Sequence, residues 1–409
     1  MSEQLHLFEG FGIELEYMIV DRQTLAVRPI CDELLRDVCG SYELEIERGE
    51  LAWSNELALH VVEIKTNGPT PSLDDPALAT RFQQHVVEIN ELLAARDAML
   101  MPSAMHPTMD SERELRLWPH EASPIYEALH AVFDCRGHGW ANLQSQHINL
   151  PFCGDGELRQ LHAAIRIVLP LLPALAASSP LVDGAPSGLR DTRLHYYRDN
   201  AHRVPSVTGH VIPERLYTRE AYEKMLKRIY NDLALLDPDG ILAHEWINAR
   251  GAIVRFDRGA IEIRLLDTQE TPAADLAVAR AVVAVVRALG EGRTASLDAL
   301  CNADERLLAR VLDATISDAE DAIVDDARYL ALLGYEDETA RAGDLWQHLL
   351  GVSDHAGDDP LLDVIFQRGT LASRLLDALG DEPSEEHIQS VYRRLCSCLA
   401  EDRSYLGES

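Results

Sequence analysis

Four short segments of this chain carry side chains that could do chemistry together. The first is Gly12-Ile13-Glu14-Leu15-Glu16-Tyr17, which reads as a strand. Strand side chains alternate faces, so Glu14 and Glu16 project one way and Ile13, Leu15 and Tyr17 the other. Neighbouring carboxylates repel unless water or a cation neutralises them. The second segment holds Glu56 and Glu63. Their odd spacing would put them on opposite faces of one regular strand, so both can face one site only if Glu56 lies in the loop before the strand. In the third, Gln144 to Leu150, the residues Ser145, His147 and Asn149 share a face, where the imidazole could meet a metal or a phosphate. The fourth, Ala260 to Leu265, sets Glu262 and Arg264 on one face and backs them with Ile261, Ile263 and Leu265.

Each segment taken alone is also what a half-exposed antiparallel strand with an acidic face looks like, and the Glu262–Arg264 pair alone could be a surface ion pair worth little. Taken together they suggest more. Carboxylate-rich sites select hard cations, and Mg²⁺ with substrate phosphates fits best, whereas zinc would bring more His or Cys. Several Mg²⁺ ions beside an arginine imply phosphoryl transfer from a nucleotide.

The elements that must position these groups are legible from periodicity. Strands are expected over residues 12–20, about 44–47, 59–66 and 142–152, and a hairpin over 253–267. Asn67-Gly68-Pro69 ends the third of these. A helix is expected over 74–98, with Asp74 or Asp75 as its cap and Pro76 in its first turn. A polar stretch follows to about residue 134. A largely apolar helix over 157–177 should break near Pro170 and Pro173. Residues 183–214 read as a long loop, 219–236 as a helix, and Thr271-Pro272 starts a helical region that runs almost to the C-terminus. The strands alternate in polarity and interleave irregularly with helices. That favours an α+β fold: a mainly antiparallel sheet with one open face, helices on the other, and a helical C-terminal part. The expected division is a catalytic sheet with helices over 1–272 and an acidic helical region over 273–409 packed on the same domain. No G-x-G-x-x-G or P-loop pattern occurs.

Composition sets outer bounds. The 37 basic and 68 acidic residues give a net charge of −31, which argues against nucleic acid and anionic membranes as partners. The seven cysteines form no C-x-x-C pair, and Cys396-Ser397-Cys398 is too closely spaced for an ordinary zinc pair. Reduced thiols, an opening Met-Ser-Glu-Gln without a signal-peptide pattern, and no long uncharged apolar run lead to the expectation of a cytoplasmic protein without a membrane span.

The segments resemble one known family, the glutamate–cysteine ligase type 2 group of carboxylate–amine ligases, related at fold level to glutamine synthetase. Residues 12–16 resemble its opening G-x-E-x-E strand, followed by Val20-Asp21. Glu56 and Glu63 resemble its second acidic pair, and Met105-His106-Pro107 its G-x-H-P turn. Gln146-His147-Ile148-Asn149 is similar to its H-x-H strand in an H-x-N version. Residues 259–268 resemble its G-T-x-E-x-R-x-x-D-T strand. The likeness runs in order over about residues 8–272.

This resemblance implies a funnel-like catalytic sheet that binds ATP and two or three Mg²⁺. By it, Glu14, Glu16, Glu56, Glu63, His147 and Glu262 would be metal ligands or near-ligands, and Arg264 would hold the transferred phosphoryl group. The implied reaction phosphorylates a carboxylate, glutamate's γ-carboxylate in reference members, and an amine such as cysteine's then attacks the acyl phosphate. A homo-oligomer is expected from the family alone. The chain departs from the pattern at Asn149, at Asn248-Ala249-Arg250 in place of Asp-Ile-Arg, at Lys65, where a smaller residue is usual, and at Ser103-Ala104. Asn149 and Arg250 are taken as substrate- or ATP-binding.

The segment 183–214 is locally basic in a strongly acidic chain. It reads either as a cover whose Arg193 and Arg198 contact a substrate carboxylate or ATP phosphates, or as a solvated loop whose arginines pair with Asp191, Asp199 and Glu214. The expected function is an ATP- and Mg²⁺-dependent carboxylate–amine ligase acting on small molecules, forming γ-glutamyl amides as a weak glutamate–cysteine ligase would. The alternatives are the same chemistry on another amine or acid, and a non-catalytic ligand-binding descendant of the scaffold.

Overall fold

The computed structural model describes residues 4–355 and 359–407. Eight antiparallel strands form the main sheet: β1 (Gly12–Asp21), β2 (Glu45–Arg48), β3 (Leu51–Asn55), β4 (Val61–Thr66), β5 (Ala98–Met101), β6 (Ser145–Pro151), β7 (Ala252–Arg255) and β8 (Ala260–Asp267). Their order is β2-β3-β4-β1-β6-β8-β7, with β5 on β1 as well. One long edge of β1 is shared. Its first half, Gly12 to Leu15, pairs with β6, and its second half, Met18 to Asp21, pairs with β5. The sheet therefore divides around β1, and Glu14 and Glu16 sit where it opens.

The helices that matter for the site are α1 (Cys31–Cys39), α2 (Pro76–Ala94), α3 (Ser123–Phe133), α4 (Gly154–Val168), α5 (Thr192–Asp199), α6 (Arg219–Leu233), α7 (Pro272–Gly290) and α8 (Glu305–Asp318). The back of the sheet is apolar. Ile13, Leu15, Trp53, Ile64, Ile148 and Ile263 are buried in one core with Phe82 and Val86 of α2, Ile165 of α4 and Val282 of α7. That core continues into the later helices through Leu308 of α8 and Trp346. At about 25 cal/mol per Å² of apolar surface removed from water, this face supplies the drive that holds the strands in register. A one-residue slip would send every carboxylate into it.

The pattern-based reading missed several elements, helix α1 among them. The helix expected over 74–98 ends at Ala94 and gives way to strand β5. The polar stretch before Asp134 contains helix α3. The supposed long loop over 183–214 contains helix α5, capped by the Asp191 side chain, which accepts from the Leu194 N–H. Strand β3 was not expected at all. The helical last third also contains a short ribbon, Ile323–Val324 with Ala340–Arg341. Among the described residues, no helix is long and apolar enough to cross a membrane.

Compacting a charge of −31 opposes folding through self-repulsion. Salt shortens the Debye length from about 10 Å at 0.1 M to about 3 Å at 1 M. Raising KCl over that range is expected to raise the melting temperature by about 5 °C or more. A melt followed by circular dichroism that is flat or falls with salt would refute this.

Candidate functional site

The open face of the sheet gathers the predicted groups by register alone. Across β1 and β4, Glu16 lies opposite Glu63 and Glu14 opposite Lys65. Across β1 and β6, Glu14 lies opposite His147 and Gly12 opposite Asn149. Glu262 of β8 then lies opposite Asn149. Glu56 falls between β3 and β4, outside both strands, which is the condition its spacing from Glu63 imposed. Gly12 is needed where it stands: a Cβ there would come within 2.9 Å of Asn149 Cβ. Its absence lets the Asn149 amide lie across β1, where Nδ2 donates to Glu14 Oε1 at 3.1 Å.

Arg264 reaches the cluster through an irregularity. The β8–β6 register shifts between Ile263 and Leu266, and the bulge lifts Arg264 out of the ladder. Its Nε lies 3.1 Å from Glu262 Oε1, while Arg255 of β7 donates to Glu262 Oε2 at 3.2 Å.

Among the described residues, two groups of three offer ligand atoms within 4.8 Å of one another: Glu14, Glu63 and His147, and Glu16, Glu56 and Glu63. Burial pushes the Glu56 carboxyl well above the usual range, helped by the charges of Glu16 and Glu63. Burial and then the charge of Glu14 raise Glu63 to about 7, despite Lys65 and a 2.6 Å hydrogen bond from Ser54 Oγ. Burial also raises Glu16, whose Oε2 accepts from the Ser145 N–H at 2.7 Å.

Glu14 goes the other way. Burial opposes its charge, but His147, through a 2.9 Å hydrogen bond and its charge, with Lys65 and Arg258, holds it at about 2. The same partners invert His147. Burial alone would favour the neutral ring, yet Glu14, Glu16 and Glu262 raise it to about 9. The imidazolium thus stands among the carboxylates as a partial substitute for a cation. This buried, carboxylate-rich set of oxygen donors fits Mg²⁺.

A cleft of about 800 Å³ opens beside the cluster, lined by Gly12, Glu14, Lys65, Asn149, Phe256 and Arg258. Arg219 lies over the Phe256 ring, 4.7 Å from its centroid. A larger cleft of about 990 Å³, walled by Phe133, Trp140 and Tyr196, contains none of the clustered carboxylates. The smaller cleft reaches the cluster at Glu14 and Lys65, while Glu16, Glu56, Glu63, His147 and Glu262 are not among the residues that line it.

The three other arginines are committed elsewhere. Arg193 is buried on α5 with its Nε on Asp267, although its Nη2 has no hydrogen-bond partner. Arg198 pairs with Asp313 of α8 at the surface. Arg250 grips Glu214 with two 2.6 Å hydrogen bonds and also donates to the carbonyls of Ser206 and Val207. The segment 183–214 is thus partly helical, and Arg193 and Arg198 pair with Asp267 and Asp313 rather than with Asp191 and Asp199. Residues that pattern reading passed over include Glu45, Ser54, Arg255, Arg258 and Tyr126, whose hydroxyl accepts from Asn55 Nδ2 beside Glu56. Only the turn Asp257-Arg258-Gly259, inside an expected hairpin, gave any signal for Arg255 and Arg258.

The family model described as glutamate–cysteine ligase family 2 matches residues 10–394. An uncharacterized protein of Archaeoglobus fulgidus is 33% identical over 97% of this chain and 100% of its own length. A Rubrobacter xylanophilus protein, provisionally named glutamate–cysteine ligase 2-3, is 25% identical over 71% of this chain and 67% of its own. The crystal structure of glutamate–cysteine ligase from Francisella tularensis in complex with AMP superposes with a TM-score of 0.63 at 14% identity, covering 100% of this chain and 91% of that one. That likeness shows that the two chains share a fold.

Proposed function

The chain belongs to glutamate–cysteine ligase family 2 and is a ligase, and from that premise we propose that it joins a carboxylate to an amine through an acyl phosphate made from ATP, with glutamate as the acid and an amine such as cysteine as acceptor. The observation that carries this reading is the pair of carboxylate sets sharing Glu63, with Arg264 at their edge. Glu16, Glu56 and Glu63 would hold one Mg²⁺, and Glu14 and Glu63, with His147 once its ring has given up a proton and Glu262 close by, another. Bound there, Mg²⁺ would supply Lewis-acid neutralisation of the triphosphate.

The chain's own groups do the rest. The cleft beside Glu14 would seat the nucleotide, with Arg258 and Lys65 facing its phosphates and Phe256 offering an aromatic face. Arg264 would meet the γ-phosphoryl oxygens as charge moves onto them. The substrate carboxylate oxygen attacks phosphorus and ADP leaves. The amine nitrogen then attacks the acyl carbon, phosphate leaves, and the amine proton must pass to a base.

The test is ADP release with ATP, Mg²⁺ and glutamate across a panel of amines. Turnover that needs both glutamate and an amine is expected, with cysteine active. If cysteine is inert while another amine stimulates turnover, the acceptor assignment falls and the ligase chemistry stands. If no combination releases ADP, the catalytic reading falls.

A further inference from the structure

Lysine is rare in this chain. It occurs three times, at 65, 224 and 227, among 37 basic residues. Lys224 and Lys227 lie on the exposed side of α6, as an ordinary solvated lysine does. Lys65 does not. It is on the open face of β4, opposite Glu14, and its side chain is 21% exposed. Its Nζ lies 3.0 Å from Glu63 Oε1 and 2.6 Å from Glu45 Oε2.

Those two carboxylates belong to one row across the sheet. Glu45 of β2 is opposite Ser54 of β3, Ser54 is opposite Glu63 of β4, and Glu63 is opposite Glu16 of β1. The row thus continues the carboxylate cluster outward by one more acidic side chain. Where Glu16 and Glu63 share one gap, Glu63 and Glu45 share the next, and the ammonium fills it. A guanidinium is a planar fork, whereas an ammonium is a compact point charge, closer in shape to a metal ion. In a chain that elsewhere uses arginine almost throughout, a lysine here is a choice of shape.

We propose that Lys65 is a tethered cation occupying an outer cation position between Glu45 and Glu63, so that the cluster takes two divalent ions and the protein itself supplies the third positive centre. This rests on the Mg²⁺-dependent reading above. It assigns Lys65 and Glu45 a shared part in the site: one oxygen of Glu63 is engaged by Ser54 and Lys65, leaving its other oxygen for the ions of the two carboxylate sets. A fixed ammonium also demands no outer ion from solution, so the occupancy of that position becomes independent of Mg²⁺ concentration.

The test counts ions. Mn²⁺ is titrated into the full chain with a saturating non-hydrolysable ATP analogue, and bound ion is read by electron paramagnetic resonance and calorimetry. The parent should bind two Mn²⁺ per chain, Lys65→Ala should bind a third, and Lys65→Arg should remain at two. Lys65→Ala combined with Glu45→Gln should return to two, because the outer carboxylate pair is gone. Melting curves add a second readout: Lys65→Ala should melt lower than the parent in EDTA and recover with Mn²⁺, whereas the double variant should show no such extra recovery. Equal stoichiometry in parent and Lys65→Ala would overturn the tethered cation and leave the metal reading standing. A parent that binds no Mn²⁺ would overturn both.

Discussion

Turnover of Arg264→Ala should fall about a thousandfold, with the fold and Mg²⁺ binding retained. Arg264 stands at the edge of the carboxylate cluster, 3.1 Å from Glu262 Oε1, and its Nη1 donates only a long 3.4 Å contact to the Asn248 carbonyl. It is therefore lightly tied to the protein and available to a phosphoryl group. Removing it does not strand Glu262, because Arg255 still donates to that carboxylate at 3.2 Å. The melting temperature should shift by no more than about 1 °C, which is what a loss near 1 kcal/mol amounts to in a chain of 409 residues. Arg264→Lys should recover only part of the loss, since one ammonium cannot present the bidentate fork that spreads over two phosphoryl oxygens. The measurement is kcat for ADP formation together with a thermal melt. Activity within tenfold of the parent would remove Arg264 from the reacting centre. Collapse of the fold would give it a structural part instead.

Much of this site could be read from the chain before its structure was in view, and the reason is the period of two. Ile13, Leu15 and Tyr17 against Glu14 and Glu16, or Ile261, Ile263 and Leu265 against Glu262 and Arg264, leave only one way to bury the apolar side. Once the burial is fixed, the acidic side is fixed too. The reading failed where that contrast vanishes. Strand β3, Leu51-Ala52-Trp53-Ser54-Asn55, is buried on both faces and shows no alternation. Strand β5, Ala98-Met99-Leu100-Met101, is apolar throughout and reads as the end of the helix before it. Helix α5 buries Thr192, Arg193, Leu194 and Tyr197, so it has no apolar stripe to give it away; only its cap, Asp191, hinted at a helix start.

The partners of the arginines were hidden for a different reason. Local basicity in an acidic chain marks residues that need partners, and the partners of Arg193, Arg198 and Arg250 are Asp267, Asp313 and Glu214. Two of these three come from distant stretches that no local pattern links to their arginine. Arg264 is the converse case. Its neighbour Glu262 is close in sequence, and the bulge that frees the guanidinium from the ladder leaves the pair intact.

Mg²⁺ should stabilise the protein strongly at pH 8 and hardly at all at pH 5. The carboxyls of Glu16, Glu56 and Glu63 are all raised in the fold, Glu63 to about 7, by burial and by one another's charge. A carboxyl whose folded pKa lies above its unfolded value binds its proton more tightly when folded. Its stabilising contribution is complete below the unfolded value near 4.5 and disappears as pH rises through the folded value. For Glu63 alone, a rise from 4.5 to about 7 corresponds to roughly 3 kcal/mol, lost between about pH 5 and 8. A divalent cation replaces those protons, so its effect grows over the same window. At a hundredfold excess over its dissociation constant a ligand adds about 2.7 kcal/mol, which should appear as a rise in melting temperature of about 3 °C at pH 8. The buried imidazoles of His60 and His162, each lowered by burial to about 3, oppose this trend, because they are neutral in the fold and cost stability as pH falls below about 6.5. The quantity to measure is therefore the difference between melts with Mg²⁺ and with EDTA, in which that background cancels. The difference should widen from pH 5 to pH 8 and shrink in Glu63→Gln, which removes the oxygen common to both carboxylate sets. A difference that stays constant with pH, or that survives in Glu63→Gln unchanged, would mean that Mg²⁺ acts somewhere other than between these side chains.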